Sequence, residues 1–429
     1  MKWLKGSKAD ILTDLATDQR SSNNQQQIID QQVAAILKEV SETGDAAVVK
    51  FTETFDQVLL DDLEISAKTV DLALDLVEPE VISALEAAKA NIISYHQQQK
   101  QVPFVDANRV GVIRGQLVIP LERVAVYVPG GTAAYPSSVL MNVLPAKIAG
   151  VKEIIMVTPP GKDGIPPVIL SAAKIAGVDR IFQVGGAQAI AAVAYGTETI
   201  PQVDKIVGPG NIYVATAKKM VYGQVAIDMI AGPSEIGVIA DENANPDYIA
   251  ADLLSQAEHD VLARAILVTN DVKLGEKVEA AVAAQLKTLP RRAIAEAAIR
   301  DFGRIVLCNT TEEMFELMNA VAPEHLEVQV TDPMSYLGAI KNAGSIFLGE
   351  YASEPVGDYF AGTNHVLPTS GTARFFSPLG VYDFVKHSQF TYYTKEALQE
   401  DQKAITTLAR KEGLEAHARA IDIRFEEEN

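Results

Sequence analysis

Ala146–Val151 reads AKIAGV, and Ala173–Val178 reads AKIAGV again. Each copy ends an Ala-rich, helix-favouring stretch with Gly and runs into a β-branched segment, Glu153–Val157 in one case and Ile181–Val184 in the other. Gly is the residue that closes a helix most readily, because its missing Cβ tolerates the left-handed conformation. The echo therefore predicts a doubled helix-to-strand unit, the texture of a parallel sheet wrapped by helices. Working outward, Val124–Val128 predicts a strand, and about Val139 to Ala149 the helix that follows it. Further strands are expected at Lys205–Val207, Ile236–Ile239, Ile266–Val268, Ile305–Leu307 and Ser345–Leu348.

Residues 22–101 read mostly as helix. Ile28, Ile29, Val33, Ile36, Leu37 and Val40 keep helical spacing until Ser41-Glu42-Thr43-Gly44-Asp45 stops it. The chain from about Pro378 is expected to return to helix, with Ala397–Arg410 and Leu414–Ile423 as its parts. The expected organisation is a small α/β domain at 127–234 inserted in a larger one built from 22–126 and 235–377. A polar arm at 1–21 and a helical tail at 378–429 remain as oligomer-contact elements.

The chain has 429 residues, 48% of them hydrophobic and 22% charged, which suits two or three packed domains and argues against wholesale disorder. A formal net charge of −19 argues against a general nucleic-acid binder. The single cysteine, Cys308, cannot form an internal disulfide, so a reducing cytoplasm fits. It ends an apolar strand, where a thiol acts as a small hydrophobe. No apolar run reaches the ~18 residues of a membrane span, and Met1–Gln19 has no signal-peptide core.

Three Gly-rich turns follow strands: Pro129-Gly130-Gly131-Thr132, Val184-Gly185-Gly186-Ala187-Gln188 and Gly208-Pro209-Gly210-Asn211. Backbone amides at such helix starts suit phosphate groups. None spells the dinucleotide fingerprint, and each is also an ordinary strand-to-helix turn.

The chain has six histidines. Gln256 and His259 are three apart on an apparent helix and share a face, so one metal ion suits them; a helix-end imidazole facing the dipole is the other reading. Glu324 and His325 follow Pro323 and are expected at a helix start or in a loop. There they form either an acid/base pair or a plain surface helix start. Residues 349–376 read as a long Gly-, Pro-, Thr- and Ser-rich loop. Within it Asp358 is a candidate oxygen ligand, and His365 a substrate contact. His417 opens a tail helix just after Glu412.

Taken as a set, these stretches resemble the histidinol dehydrogenase family over nearly the whole chain. The residues that carry the resemblance are Tyr127–Gly131, Val184–Ala189, Gly208–Asn211, Ala231–Glu235, Leu253–His259, Ala322–Leu326, Gly357–Tyr359, Gly362–Thr369 and Gly413–Ala418. The resemblance implies NAD-linked oxidation of L-histidinol to L-histidine through a bound aldehyde, with two NAD molecules used in turn. Related dehydrogenases on the same scaffold oxidise other small polar alcohols, and the tail residues Glu412 and His417 match the histidinol-specific pattern. It implies one zinc ion per subunit held by Gln256, His259, Asp358 and His417. It also implies His325 as general base, Glu324 as the group that activates water, and Ser234, His365 and Glu412 as substrate contacts alongside the zinc ligands and His325. Tyr127, Gln188 and Asn211 are the implied NAD contacts. The implied fold is a pair of incomplete Rossmann-like domains. The implied assembly is a domain-swapped homodimer whose tail completes the partner's site. No nucleic-acid or membrane partner is expected.

Overall fold

The fold was read from a computed structural model of the chain; residues 1–17, 23–130, 134–230 and 232–426 are described. Gly131 and Thr132 of the first Gly-rich turn, Ala231, and the end of the N-terminal arm lie outside the described residues. The strands are β1 Lys2–Leu4, β2 Phe104–Arg109, β3 Val112–Pro120, β4 Arg123–Tyr127, β5 Glu153–Val157, β6 Arg180–Phe182, β7 Lys205–Val207, β8 Ala226–Ile227, β9 Glu235–Ala240, β10 Arg264–Thr269, β11 Gly303–Leu307, β12 His325–Gln329, β13 Ser345–Leu348 and β14 Val385–Tyr393. The helices are α1 Lys8–Thr17, α2 Asn23–Thr43, α3 Asp45–Asp56, α4 Ala67–Ala73, α5 Pro79–Gln97, α6 Pro136–Ala149, α7 Pro167–Ala176, α8 Gly186–Tyr195, α9 Ile212–Val221, α10 Pro246–Ala257, α11 Val272–Gln285, α12 Arg292–Phe302, α13 Thr311–Val321, α14 Glu354–Tyr359, α15 Lys395–Lys411 and α16 Glu415–Asp422.

The chain divides into two compact units. The first, residues 1–99 and 121–384, holds both parallel sheets. One sheet has the order β6-β5-β4-β7-β8, and every pair in it is parallel. Counted within the sheet this is 3-2-1-4-5, the doubly wound order with one strand fewer than the full dinucleotide-binding sheet. The other sheet runs β1-β11-β10-β9-β12-β13, again all parallel. Without β1 its order is also 3-2-1-4-5, so the two sheets repeat one winding.

The repeated AKIAGV segments close α6 and α7 as the sequence predicts. Gly150 and Gly177 adopt φ of 93° and 85°, and the Val151 and Val178 amides reach back to the Ala146 and Ala173 carbonyls. This closure turns the chain straight into β5 and β6. In α2 the predicted stripe packs inward: Ile29, Val33, Ile36, Leu37 and Val40 join the core of the first sheet, while Ile28 is exposed.

Several elements differ from the sequence reading. The arm begins with β1, which extends the edge of the larger sheet by pairing with β11. His325 opens a strand, β12, rather than a helix or loop. The stretch 349–376 carries a helix, α14, and Asp358 lies on it. The segment after Pro378 is not all helix. Strand β14 pairs antiparallel with β3, and β3 with β2, to form a three-stranded sheet. This sheet with α15 and α16 makes the second unit, residues 100–120 and 385–429. The alternation in Val385–Tyr393, rich in Thr and aromatics, is a strand signal. No described helix is long and apolar enough to cross a membrane.

His96, at the end of α5, is fully buried; its Nδ1 bonds Gln99 Oε1, which also accepts the Val381 N–H. Burial holds this imidazole below its ordinary value, with the Gln99 bond opposing. The folded state therefore binds fewer protons than the unfolded chain as pH falls below the unfolded value of about 6.5. The His96 contribution is complete above that pH and is lost on acidification. The urea midpoint is expected to drop between pH 7 and pH 5, and His96→Gln to flatten that drop. Equal slopes in both proteins would show that His96 does not drive it.

Candidate active site

In β12 the side-chain period of two sets His325, Glu327 and Gln329 on one face and Leu326 and Val328 on the other. All five are buried. The polar face is covered by α10, which supplies Asp252, Ser255 and Gln256, and by α14, which supplies Glu354 and Asp358. Gln256 sits on the last turn of α10. His259 lies just beyond that helix, in the turn where its N–H reaches the Gln256 carbonyl at 3.2 Å. The cluster thus gathers at the strand-entry end of the larger sheet, because α10 runs back from β9 to that end.

The Glu324 carboxylate accepts the Glu235 N–H at 2.9 Å, and its Oε2 is 3.6 Å from His325 Nδ1. That Nδ1 is 3.2 Å from the Glu235 carbonyl, a geometry in which the ring N–H donates. Gln256 Nε2 lies 3.3 Å from the same ring nitrogen. The opposite ring atom, Nε2, is 3.6 Å from Asp358 Oδ1 and has no hydrogen-bond partner, and Gln256 Oε1 is likewise buried without one. His365 Nδ1 donates to the Asp358 carbonyl at 3.1 Å, and its Nε2 is 3.3 Å from Ser138 Oγ. Ser138 lies in the first turn of α6, at the strand-exit end of the smaller sheet. His259 is in electrostatic range of Asp358 and His325.

Charge and burial compete strongly here. Burial pushes Glu324 up to about 7, against the pull of His325 and the Glu235 amide. Burial disfavours the His325 cation, but Glu324, Asp358 and Glu354 outweigh it and raise the imidazole to about 10. Burial acts to raise Asp358, yet His325, His365 and a hydrogen bond from Glu354 bring it to about 2. Burial lowers His259 and His365, so both favour the neutral form.

Among the described residues, His325, Glu354 and Asp358 each offer a ligand atom within 4.8 Å of the others. Asp358 is the member of the sequence-derived ligand set found in this group. Ser234 is half-buried ahead of β9, and its carbonyl accepts the Arg264 N–H. Glu412 and His417 are exposed on the second unit.

At the strand-exit end of the smaller sheet the Gly-rich turns converge. Gly130 and Gly185 both pack on Pro159, and the Tyr127 hydroxyl accepts the Gly186 N–H at 3.1 Å. Gly208 has φ of 108°, and a Cβ there would fall 2.2 Å from the Tyr127 carbonyl oxygen, so only glycine fits. Gln188 is buried with both amide atoms unpartnered. Asn211 caps α9 by accepting the Tyr213 and Val214 N–H groups. Cys308 is buried and far from thiolate character, pushed up to about 11 by burial.

Sequence reasoning missed Glu235, Glu327 and Glu354. Glu235 is a hub. Its carboxylate takes Arg264 and the Ser370 N–H, while its backbone serves both Glu324 and His325. The available signal was a carboxylate opening the otherwise apolar strand EIGVIA.

The model of the family described as histidinol dehydrogenase matches residues 18–425. Histidinol dehydrogenase of Listeria monocytogenes serotype 4b is 61% identical over 429 residues, covering 100% of both chains. That of Streptococcus mutans is 60% identical over 424 residues, 99% of each chain. The crystal structure of histidinol dehydrogenase from Elizabethkingia anophelis has a TM-score of 0.89 to this fold at 39% identity, covering 95% of this chain and 93% of that one. With the family model, full-length relatives and backbone in agreement, the chain belongs to the histidinol dehydrogenase family.

Proposed function

We propose that the chain oxidises L-histidinol to L-histidine through L-histidinaldehyde, the last step of histidine biosynthesis, using zinc and two NAD per turnover. The observation that carries this reading is the buried Glu324–His325 pair with the unpartnered His325 Nε2 facing Asp358. The donor set suits zinc. Gln256 Oε1 is a buried acceptor that lacks a donor, and such atoms in a folded core call for a partner. Gln256, His259, Asp358 and His417 would hold the ion, two imidazoles with a carboxylate and an amide oxygen. When bound, zinc supplies a grip on the substrate's imidazole and amine nitrogens, and NAD supplies the hydride acceptor.

The residues of the chain handle protons and orientation. The Glu235 carbonyl holds the Nδ1 proton, so His325 Nε2 is the atom that takes the proton of the alcohol. A cation held at Asp358 would offset part of the carboxylate field that raises His325, and the imidazole would then be free to act as a base. Glu324, with an acidity near neutrality, takes a proton from the water that adds to the aldehyde. As the water adds, His325 returns its proton to the aldehyde oxygen, and the neutral imidazole then takes the hydroxyl proton of the hydrate. Ser234, His365, Glu412 and the zinc ligands bind the substrate. Tyr127, Gln188 and Asn211 on the 127–234 segment contact NAD. The Ser138–His365 approach is consistent with this, since it brings the Gly-rich end of the smaller sheet next to the carboxylate cluster. Glu412 and His417 are exposed on a unit that also exposes Leu408, Leu414 and Ile423, in keeping with a homodimer in which they complete the partner's site.

The test is NADH formed per L-histidinol consumed, before and after chelation and zinc return. Two NADH per histidinol, lost on chelation and restored by zinc, is the expected result. One NADH with aldehyde released would remove Glu324 from the hydration step. No turnover with zinc tightly bound would assign the site to another small polar alcohol.

A further inference from the structure

Behind the site lies a layer of buried polar side chains that the proposed chemistry does not use. Glu327 shares the His325 face of β12 and is 1% exposed. Its Oε1 accepts the Glu354 N–H, the first amide of α14, at 2.8 Å. Its Oε2 accepts Gln329 Nε2 at 2.9 Å, and the same amide donates to Asp252 Oδ2 at 2.8 Å. Glu327 and Asp252 thus share the Gln329 side-chain amide as a common donor. From Glu354 the chain of contacts goes on to Ser255 Oγ at 2.8 Å and to Asp358.

We propose that Glu327 is a positioning residue that ties β12, α10 and α14 together and thereby sets the Asp358 carboxylate opposite His325. A six-residue helix cannot hold a side chain in place by its own hydrogen bonds. α14 has a serine at its N-cap, Ser353, but no side-chain cap bond, and Glu327 from the neighbouring strand takes the Glu354 amide instead. On α10, Asp252 lies one helical turn before Gln256 on the same face. One carboxyl thus couples the positions of Gln256, His325 and Asp358. Loss of such supporting groups around a metal site costs about 10–100-fold in metal affinity or activity. Glutamine keeps the acceptor for the Glu354 amide and loses the one for Gln329 Nε2, so it preserves the tie to α14.

This inference rests on the reading of Asp358 as a zinc ligand, so Asp358→Asn is the reference variant. The experiment compares Glu327→Ala, Glu327→Gln and Asp358→Asn as full-length zinc-loaded protein. Zinc retention is measured by chelator competition and turnover by kcat and KM. Glu327→Ala is expected to lose about 10–100-fold in zinc affinity and in kcat, and Glu327→Gln to stay within a few-fold of the parent. If the alanine variant does not fold, Glu327→Met, which fills the space without the hydrogen bonds, is expected to show the same losses. Folded alanine or methionine variants with parental zinc affinity and kcat would overturn the proposal. So would a glutamine variant as impaired as alanine. Asp358→Asn with parental zinc affinity would overturn the zinc reading itself.

Discussion

His325→Asn is expected to lower kcat by about 10²–10⁴-fold, the range for loss of a positioned general base, with the fold intact. Asparagine retains a donor for the Glu235 carbonyl, so the strand start keeps its backbone partner. What disappears is Nε2, the unpartnered basic atom facing Asp358. In the proposed mechanism His325 serves both oxidation steps, so histidinol and histidinaldehyde turnover should fall together. Glu324→Gln should separate them. It keeps an acceptor for the Glu235 N–H but cannot take a proton from water, so the first NADH forms and the aldehyde then accumulates. Stopped-flow NADH traces with each substrate check both expectations. A His325→Asn enzyme with kcat near that of the parent would remove His325 from the chemistry.

The second large effect concerns stability. Lys218 on α9 and Asp228 after β8 form an ion pair with side chains 3% and 1% exposed. Lys218 also donates to the Gly208 carbonyl at 2.8 Å, while Asp228 accepts the Gly208 N–H at 2.8 Å and the Met229 N–H at 2.6 Å. The pair therefore grips both ends of the Gly208 peptide, at a position that no other residue can occupy. Lys218→Met leaves a buried carboxylate without its counter-charge and is expected to cost about 3–5 kcal/mol. The double variant Lys218→Met, Asp228→Asn should recover part of that loss, because the stranded charge is gone. Urea unfolding of both variants gives the comparison. A single variant within about 1 kcal/mol of the parent, the range of exposed pairs, would mean that water reaches the site.

Much of the scaffold was legible in local sequence. Glu153–Val157, Lys205–Val207 and Ser345–Leu348 form strands with the bounds read from their β-branched runs. The AKIAGV closures hold because helix termination by glycine is a property of a few consecutive residues. The misses share one cause. β12 reads HLEVQ, and its polar residues suggest a solvated or helical segment, yet they are buried against α10 and α14. β14 lies in a stretch that the sequence reads as helix, because its partner β3 is far away in the sequence. His259 continues the helical pattern of α10 in the sequence, but the helix ends two residues earlier. Glu235, Glu327 and Glu354 were overlooked because a lone carboxylate says nothing of its surroundings until the chain is folded.

By itself, the sequence determined the α/β class, the helix stops, most of the strands and the inventory of imidazoles and carboxylates able to do chemistry. Each of these depends on backbone preferences and side-chain type within a short window. Only the tertiary structure decided the two 3-2-1-4-5 windings, the pairing of β14 with β3, and the meeting of Gln256, Glu324, His325 and Asp358 from three separate segments. It also decided their protonation. Removal from water raises Glu324, neighbouring carboxylates raise His325, and neighbouring imidazoles lower Asp358. Those shifts come from distance and burial, which exist only once remote parts of the chain have packed together.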